Sequence, residues 1–98
     1  MKDNPYREDR EQIKELLKQY ENLKNGRNNS FIEEDSFEKI VNYYQEKDDL
    51  VRAMEAAETG SEQYPYSSLL LIKQADILIA NRSYQKALYV LDQASLLD

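Results

Sequence analysis

The feature that most constrains this chain is an internal period of 34 residues in its apolar positions. Six pairs of residues share that separation without a gap: Phe37 and Leu71, Val41 and Ala75, Tyr44 and Leu78, Leu50 and Tyr84, Ala53 and Ala87, and Met54 and Leu88. The two members of each pair match in size or in apolar character. A fixed period of this length is typical of short helical hairpins that stack on one another.

The spacing of apolar residues within each segment predicts five helices and no strand. In the first segment the apolar residues recur with the 3.6-residue period of a helix and form one narrow stripe: Ile13, Leu16, Leu17, Tyr20 and Leu23. The predicted helices cover residues 6–25, 35–47, 50–64, 69–80 and 84–97. A polar connector, Arg27-Asn28-Asn29-Ser30, follows the first helix, and Pro65 separates the third helix from the fourth.

Polar residues at the start of each predicted helix are suited to capping it. Asp35-Ser36-Phe37-Glu38 has the spacing of a capping box with Asp35 as the cap. The other predicted caps are Asp48 or Asp49, Ser67 or Ser68, and Ser83. Gly26 is expected to end the first helix, and Gly60 is expected to weaken the third helix because glycine disfavours helix interiors.

The residues in this period resemble the tetratricopeptide repeat family. The first repeat reads Phe37, Ile40, Val41, Tyr44, Ala53, Ala57 and Pro65, and the second reads Leu71, Gln74, Ala75, Leu78, Ala87, Leu91 and Ala94. Three residues depart from the family pattern: Val41 stands where Gly or Ala is usual, Ala57 stands where a large residue is usual, and Gly60 stands where Ala is usual. The alternative is a generic four- or five-helix bundle whose repeat is accidental.

The resemblance implies an all-α fold, a right-handed αα-hairpin superhelix of two repeats preceded by an N-terminal capping helix. Within one structural domain, residues 1–32 form the amphipathic helix and its connector. Residues 34–67 form the first repeat and residues 68–98 form the second. Roughly three repeats are needed for stability, so the first helix is expected to dock on the first repeat. The chain is expected to be the N-terminal part of a longer array.

Composition argues against catalysis. The chain has no His and no Cys, so the commonest general base, the commonest metal ligand and the thiolate nucleophile are missing. The carboxylate clusters, Glu33-Glu34-Asp35 and Asp48-Asp49, lie at predicted helix starts, where negative charge complements the helix dipole. We therefore expect no enzyme activity, no cofactor and no metal site.

The charge of the chain is uneven. The net charge is −6; residues 33–67 carry ten acidic and three basic residues, whereas residues 1–32 have a net charge of +1 and residues 68–98 a net charge of 0. An acidic protein is not attracted to phosphate backbones or anionic lipids, so neither nucleic acid nor membrane is an expected partner. No secretory signal or membrane-spanning run is visible, which predicts a cytoplasmic protein.

The best functional signal is the face of each repeat's first helix that would line a concave groove. By the resemblance, that face holds Asp35, Glu38, Asn42 and Gln45 in the first repeat and Leu69, Ile72, Asp76 and Ile79 in the second. Some members of the family bind a C-terminal carboxylate with Lys and Asn at these places, and only Asn42 fits that pattern. A half-acidic, half-apolar groove suits a basic, amphipathic partner segment instead.

Two functions are consistent with this pattern. The leading one is a noncatalytic scaffold that binds a peptide or helix of a partner protein in the groove. The alternative is a homodimerisation or array-capping module, in which another copy of the chain or further repeats cover the apolar residues Leu69, Ile72 and Ile79.

Overall fold

The computed structural model describes residues 5–26 and 31–97, and within them the chain is all-α, with no strand. The predicted connector Arg27–Ser30 and the last residue, Asp98, lie outside the described residues. The five helices are α1 (Pro5–Lys24), α2 (Glu34–Glu46), α3 (Leu50–Gln63), α4 (Ser68–Ala80) and α5 (Tyr84–Ser95). The prediction of five helices at these places is confirmed to within a few residues at each end.

The backbone repeats with the same 34-residue offset as the sequence. Helices α2 and α4 both have 13 residues, and they begin at residues 34 and 68. Helices α3 and α5 begin at residues 50 and 84. The turns within the two pairs also correspond, because Asp48 (φ 59°) and Arg82 (φ 60°) both adopt left-handed dihedrals. The two successive helix pairs, α2 with α3 and α4 with α5, therefore share one spacing and one turn geometry, as in a helical repeat.

Hydrogen bonds at the helix starts test the predicted caps. The Asp49 side chain accepts from the Arg52 backbone N–H (3.1 Å), and Ser67 Oγ accepts from the Leu70 N–H (3.2 Å). Ser83 occupies the cap position of α5 without a side-chain hydrogen bond to that helix. Gly26, at φ 67°, follows the end of α1 as predicted.

The prediction of Asp35 as a cap is wrong. Helix α2 begins earlier, with Glu33 at the cap position, and the Glu33 carbonyl accepts from the Phe37 N–H (3.1 Å). Asp35 instead lies in the first turn with Glu34, where both carboxylates face the positive end of the helix dipole. The earlier start follows from Ile32, which is fully buried just before the cap and fixes the entry of the chain into α2.

The core lies between α2, α3 and α4, and α1 closes one side of it. Its fully buried residues are Tyr20, Ile32, Phe37, Ile40, Val41, Ala53, Ala56, Ala57, Leu70 and Ile77. The ring of Tyr20 packs edge-on against Phe37, with 6.4 Å between ring centroids, and Lys24 forms an ion pair with Glu55 of α3 (2.9 Å). Helix α1 therefore docks on the first helix pair, as predicted.

Gly60 is a site of close helix approach and not merely a weak point of α3. It is buried, and a Cβ atom at this position would lie 2.9 Å from Leu70 Cδ1 and 3.0 Å from Phe37 Cγ. The expected weakening from glycine's helix propensity is therefore offset by the packing that its small size permits. The missing side chain lets α3 contact both α2 and α4 at one point.

Substituting Gly60→Ala should destabilise the protein by about 1 kcal/mol. Alanine favours the helix by about 1 kcal/mol, but overpacking a filled site costs about 1–3 kcal/mol. Urea unfolding followed by circular dichroism would measure the difference. Glu62→Ala, at an exposed position of the same helix, is the control and should change stability by less than about 0.5 kcal/mol. A Gly60→Ala variant more stable than the parent would contradict this packing.

Tyr20, which is buried, and Tyr64, which is half-buried, differ in whether their hydroxyls are hydrogen-bonded. Tyr64 Oη donates to the Ile32 carbonyl (2.6 Å), which ties the end of α3 to the segment before α2. The Tyr20 hydroxyl is buried without a hydrogen-bond partner in the described chain. Thr59 lies close enough to lower the pKa of Tyr20, but the Thr59 hydroxyl donates to the Glu55 carbonyl (2.8 Å). Burial outweighs that effect and raises the pKa of Tyr20, and burial also raises the pKa of Tyr64.

Removing the two hydroxyls should therefore have different effects. Tyr64→Phe loses a hydrogen bond and leaves the Ile32 carbonyl unpaired, which should cost about 1 kcal/mol. Tyr20→Phe removes an unsatisfied buried hydroxyl and should leave stability unchanged or raise it. Chemical denaturation of both variants would measure the difference, and each serves as the other's control. Equal losses in the two variants would contradict the hydrogen-bond assignment.

Candidate interaction surfaces

The structure places the eight predicted groove residues on two neighbouring helices. Their spacing of three, four and three residues along each helix forms one stripe on α2 and one on α4. Helices α2 and α4 pack side by side. We call this surface the α2–α4 face, defined by Asp35, Glu38, Asn42, Gln45, Leu69, Ile72, Asp76 and Ile79. Its role in binding stays a prediction.

The α2–α4 face is more open on α4 than on α2. Ile72 and Ile79 are 41% and 46% exposed, and Asp76 between them is also exposed. On α2, Asp35 is exposed, whereas Glu38, Asn42 and Gln45 are half-buried, as is Leu69 on α4. The structure therefore presents two isoleucines to solvent beside a carboxylate.

Lys73 belongs to this region and was missed by sequence reasoning. Its Nζ donates to Asn42 Oδ1 across the two helices (2.6 Å). The sequence already argued against a carboxylate clamp around Asn42, and in the structure the Asn42 amide oxygen accepts from Lys73. The signal that would have found Lys73 is the period itself, since Lys39 lies 34 residues earlier on α2.

A groove of about 730 Å³ separates α1 from α2. Ile13, Leu16 and Tyr43 supply its apolar lining, and Asn42 lines it as well. Lys39 and Lys47 lie along the same groove, and the Lys47 ammonium lies 5.6 Å from the centroid of the Tyr43 ring. Among the charged residues that line this groove, Arg10, Lys39 and Lys47 are basic and Glu46 is acidic, so the groove has a net positive charge.

A larger groove, about 900 Å³, lies between α3 and α5 on a surface that the sequence analysis did not consider. We call it the α3–α5 groove; its walls include Met54 and Glu58 of α3 and Lys86 and Tyr89 of α5. Ile77 of α4 lies at its floor. The apolar period did not indicate this groove, because the groove depends on the gap between two helices that make no close backbone contact.

Apolar side chains are also exposed along α5. The residues of this helix that are buried are Ala87 and Ala94. Tyr84, Leu88 and Tyr89 are largely exposed, with Leu88 at 62%. Three large, exposed apolar side chains on one short helix are typical of an interaction surface.

The acidic clusters have structural positions at the helix starts. Asp49 caps α3, Asp48 forms the left-handed turn before it, and Glu33 occupies the cap position of α2. Among residues 5–26 and 31–97, no group of three or more acidic side chains is placed to hold a metal ion. In the same described ranges, no helix has the length and apolar content needed to cross a bilayer.

Comparisons with known proteins do not indicate a function for this chain. No known protein family matches the chain, and no curated protein or solved structure matches it either. The residues of the chain itself therefore carry the functional proposal.

Proposed function

We propose that this chain is a noncatalytic scaffold of the tetratricopeptide type that binds a segment of a partner protein on the α2–α4 face. The observation that carries the proposal is the exposure of Ile72 and Ile79 on either side of Asp76. Exposed apolar residues beside a charge favour a partner with complementary chemistry. The 34-residue offset in helix bounds and turn geometry supports assignment to a helical-repeat fold.

The chemistry of the face defines the partner segment. Asp35, Glu38 and Asp76 are acidic, while Ile72 and Ile79 are apolar. A partner that alternates basic and apolar side chains would pair with both kinds of residue at once. Lys73 is hydrogen-bonded to Asn42 and places a positive charge at that part of the face, so we expect the preference for basic residues to be strongest toward Asp35 and Asp76.

Charge reversal tests this proposal. The triple variant Asp35→Lys, Glu38→Lys and Asp76→Lys should weaken binding of a fluorescent peptide of alternating Lys and Leu by about tenfold or more, since several complementary charges become repulsive. Fluorescence anisotropy at low salt measures the affinity, because salt screens exposed charges.

The matched control carries the same change in net charge elsewhere. Glu15→Lys, Glu62→Lys and Asp92→Lys lie at exposed positions outside the α2–α4 face. This control should weaken the peptide only slightly, through the general field of the protein. Equal losses in the two triple variants would show that the peptide responds to net charge alone and would overturn the proposal.

A second candidate function is a homodimerisation or array-capping module. The observation that favours it is the row of exposed apolar side chains on α5, including Leu88 and Tyr84. A second copy or an additional repeat would cover these residues, or Ile72 and Ile79, and remove them from water.

Solution mass distinguishes the two functions. If the α2–α4 face is available to a partner, light scattering after size exclusion should give the mass of one chain, 11.6 kDa, over a range of concentrations. A dimer that Ile72→Glu dissolves would favour the second function on the α2–α4 face. A dimer that Leu88→Glu dissolves, with Ile72→Glu as the control, would place that association on α5 instead.

A further inference from the structure

The α3–α5 groove is lined by three helices, with apolar residues on its floor and on both walls. Helices α3 and α5 both pack on α4 but make no close backbone contact with each other, so a channel runs between them. Ile77 and Leu78 of α4 form the floor, Met54 lies on the α3 wall and Val90 lies on the α5 wall. The gap between α3 and α5 therefore leaves space beside α4 for an occupant.

Apolar residues line both rims of the α3–α5 groove. Val51 on α3 is 82% exposed, and Tyr89 on α5 is 64% exposed. Gln74, which also lines the groove, donates its Nε2 to Ser61 Oγ (2.9 Å), so part of its amide is already hydrogen-bonded within the chain. The groove therefore combines apolar contacts with polar positions, among them Asn81, Ser83 and Gln85, as suits the binding of an amphipathic helix.

The two walls of the groove carry opposite charges. Glu55 and Glu58 lie on the α3 wall, and Lys86 lies on the α5 wall. Glu55 is paired with Lys24 (2.9 Å), whereas neither Glu58 nor Lys86 takes part in an ion pair within the described parts of the chain. Glu58 and Lys86 are therefore the charges that a bound segment would meet.

We propose that the α3–α5 groove is a docking site for an amphipathic helix of a partner protein. The helix has an apolar stripe, a basic residue on the flank that faces Glu58 and an acidic residue on the flank that faces Lys86. The stretches of wall that line the groove are residues 50–58 of α3 and 85–90 of α5, so the bound helix needs an apolar stripe of roughly two to three turns. This site is separate from the α2–α4 face and does not depend on the function proposed for that face.

Three synthetic helical peptides of 14 residues, the length of α3, test the charge assignment. They share one stripe of Leu and differ on the flanks, with Lys and Glu on opposite flanks, Lys on both, or Glu on both. The peptide with opposite charges should bind the protein best, by about threefold, as expected for exposed charge pairs. Lys86→Glu should transfer that preference to the peptide with Lys on both flanks. An unchanged ranking of the peptides, or no binding by any of them, would overturn the proposal.

Substitutions at the rims test the location. Val51→Glu and Tyr89→Glu should each weaken the best peptide by about tenfold, because a carboxylate is then placed against its apolar stripe. Both side chains are exposed, so the fold should tolerate the changes, and circular dichroism checks this.

The matched control is Ile72→Glu on the α2–α4 face, which should leave this affinity unchanged. Loss of binding in Ile72→Glu but not in Val51→Glu would show that the peptide binds the α2–α4 face. That result would overturn the docking site proposed for the α3–α5 groove and would leave the function proposed for the α2–α4 face standing. A dimer in light scattering that Val51→Glu dissolves would identify the occupant as a second copy and would also overturn it.

Discussion

The packing of Phe37 is the contact on which the rest of the structure depends. Its ring is fully buried and meets Tyr20 of α1 and Tyr64 at the end of α3, both edge-on, with centroid distances of 6.4 and 6.1 Å. Gly60 lies against the same side chain and lets Leu70 of α4 approach it. Because four helices meet at or beside one aromatic ring, the position of each constrains the others.

This arrangement decides which surfaces remain open. Helix α4 packs against α2 on one side and against α3 and α5 on the others, so it contributes to two separate surfaces. One is the α2–α4 face, with Ile72 and Ile79 exposed, and the other is the α3–α5 groove, with Ile77 at its floor. Helix α4 has isoleucines on several sides because it lies at the centre of the structure, and not because every side of it is buried.

Sequence reasoning succeeded where the signal is local. The caps at Asp49 and Ser67 depend on a side chain and a backbone N–H three residues away, so the sequence around them was sufficient. It failed where the signal is tertiary. Ile32 was missed because a single apolar residue in a connector has no period, and the start of α2 at Glu34 in place of Asp35 follows from its burial.

The sequence by itself determined the number and order of helices and their 34-residue offset, because these depend on apolar spacing and on local caps. Only the tertiary structure decided which faces the helices leave exposed. Lys73 reaches Asn42 and Gly60 admits Leu70 through contacts between residues far apart in the chain. The α3–α5 groove likewise depends on two helices remaining apart, and a periodic pattern within single helices carries no information about the distance between them.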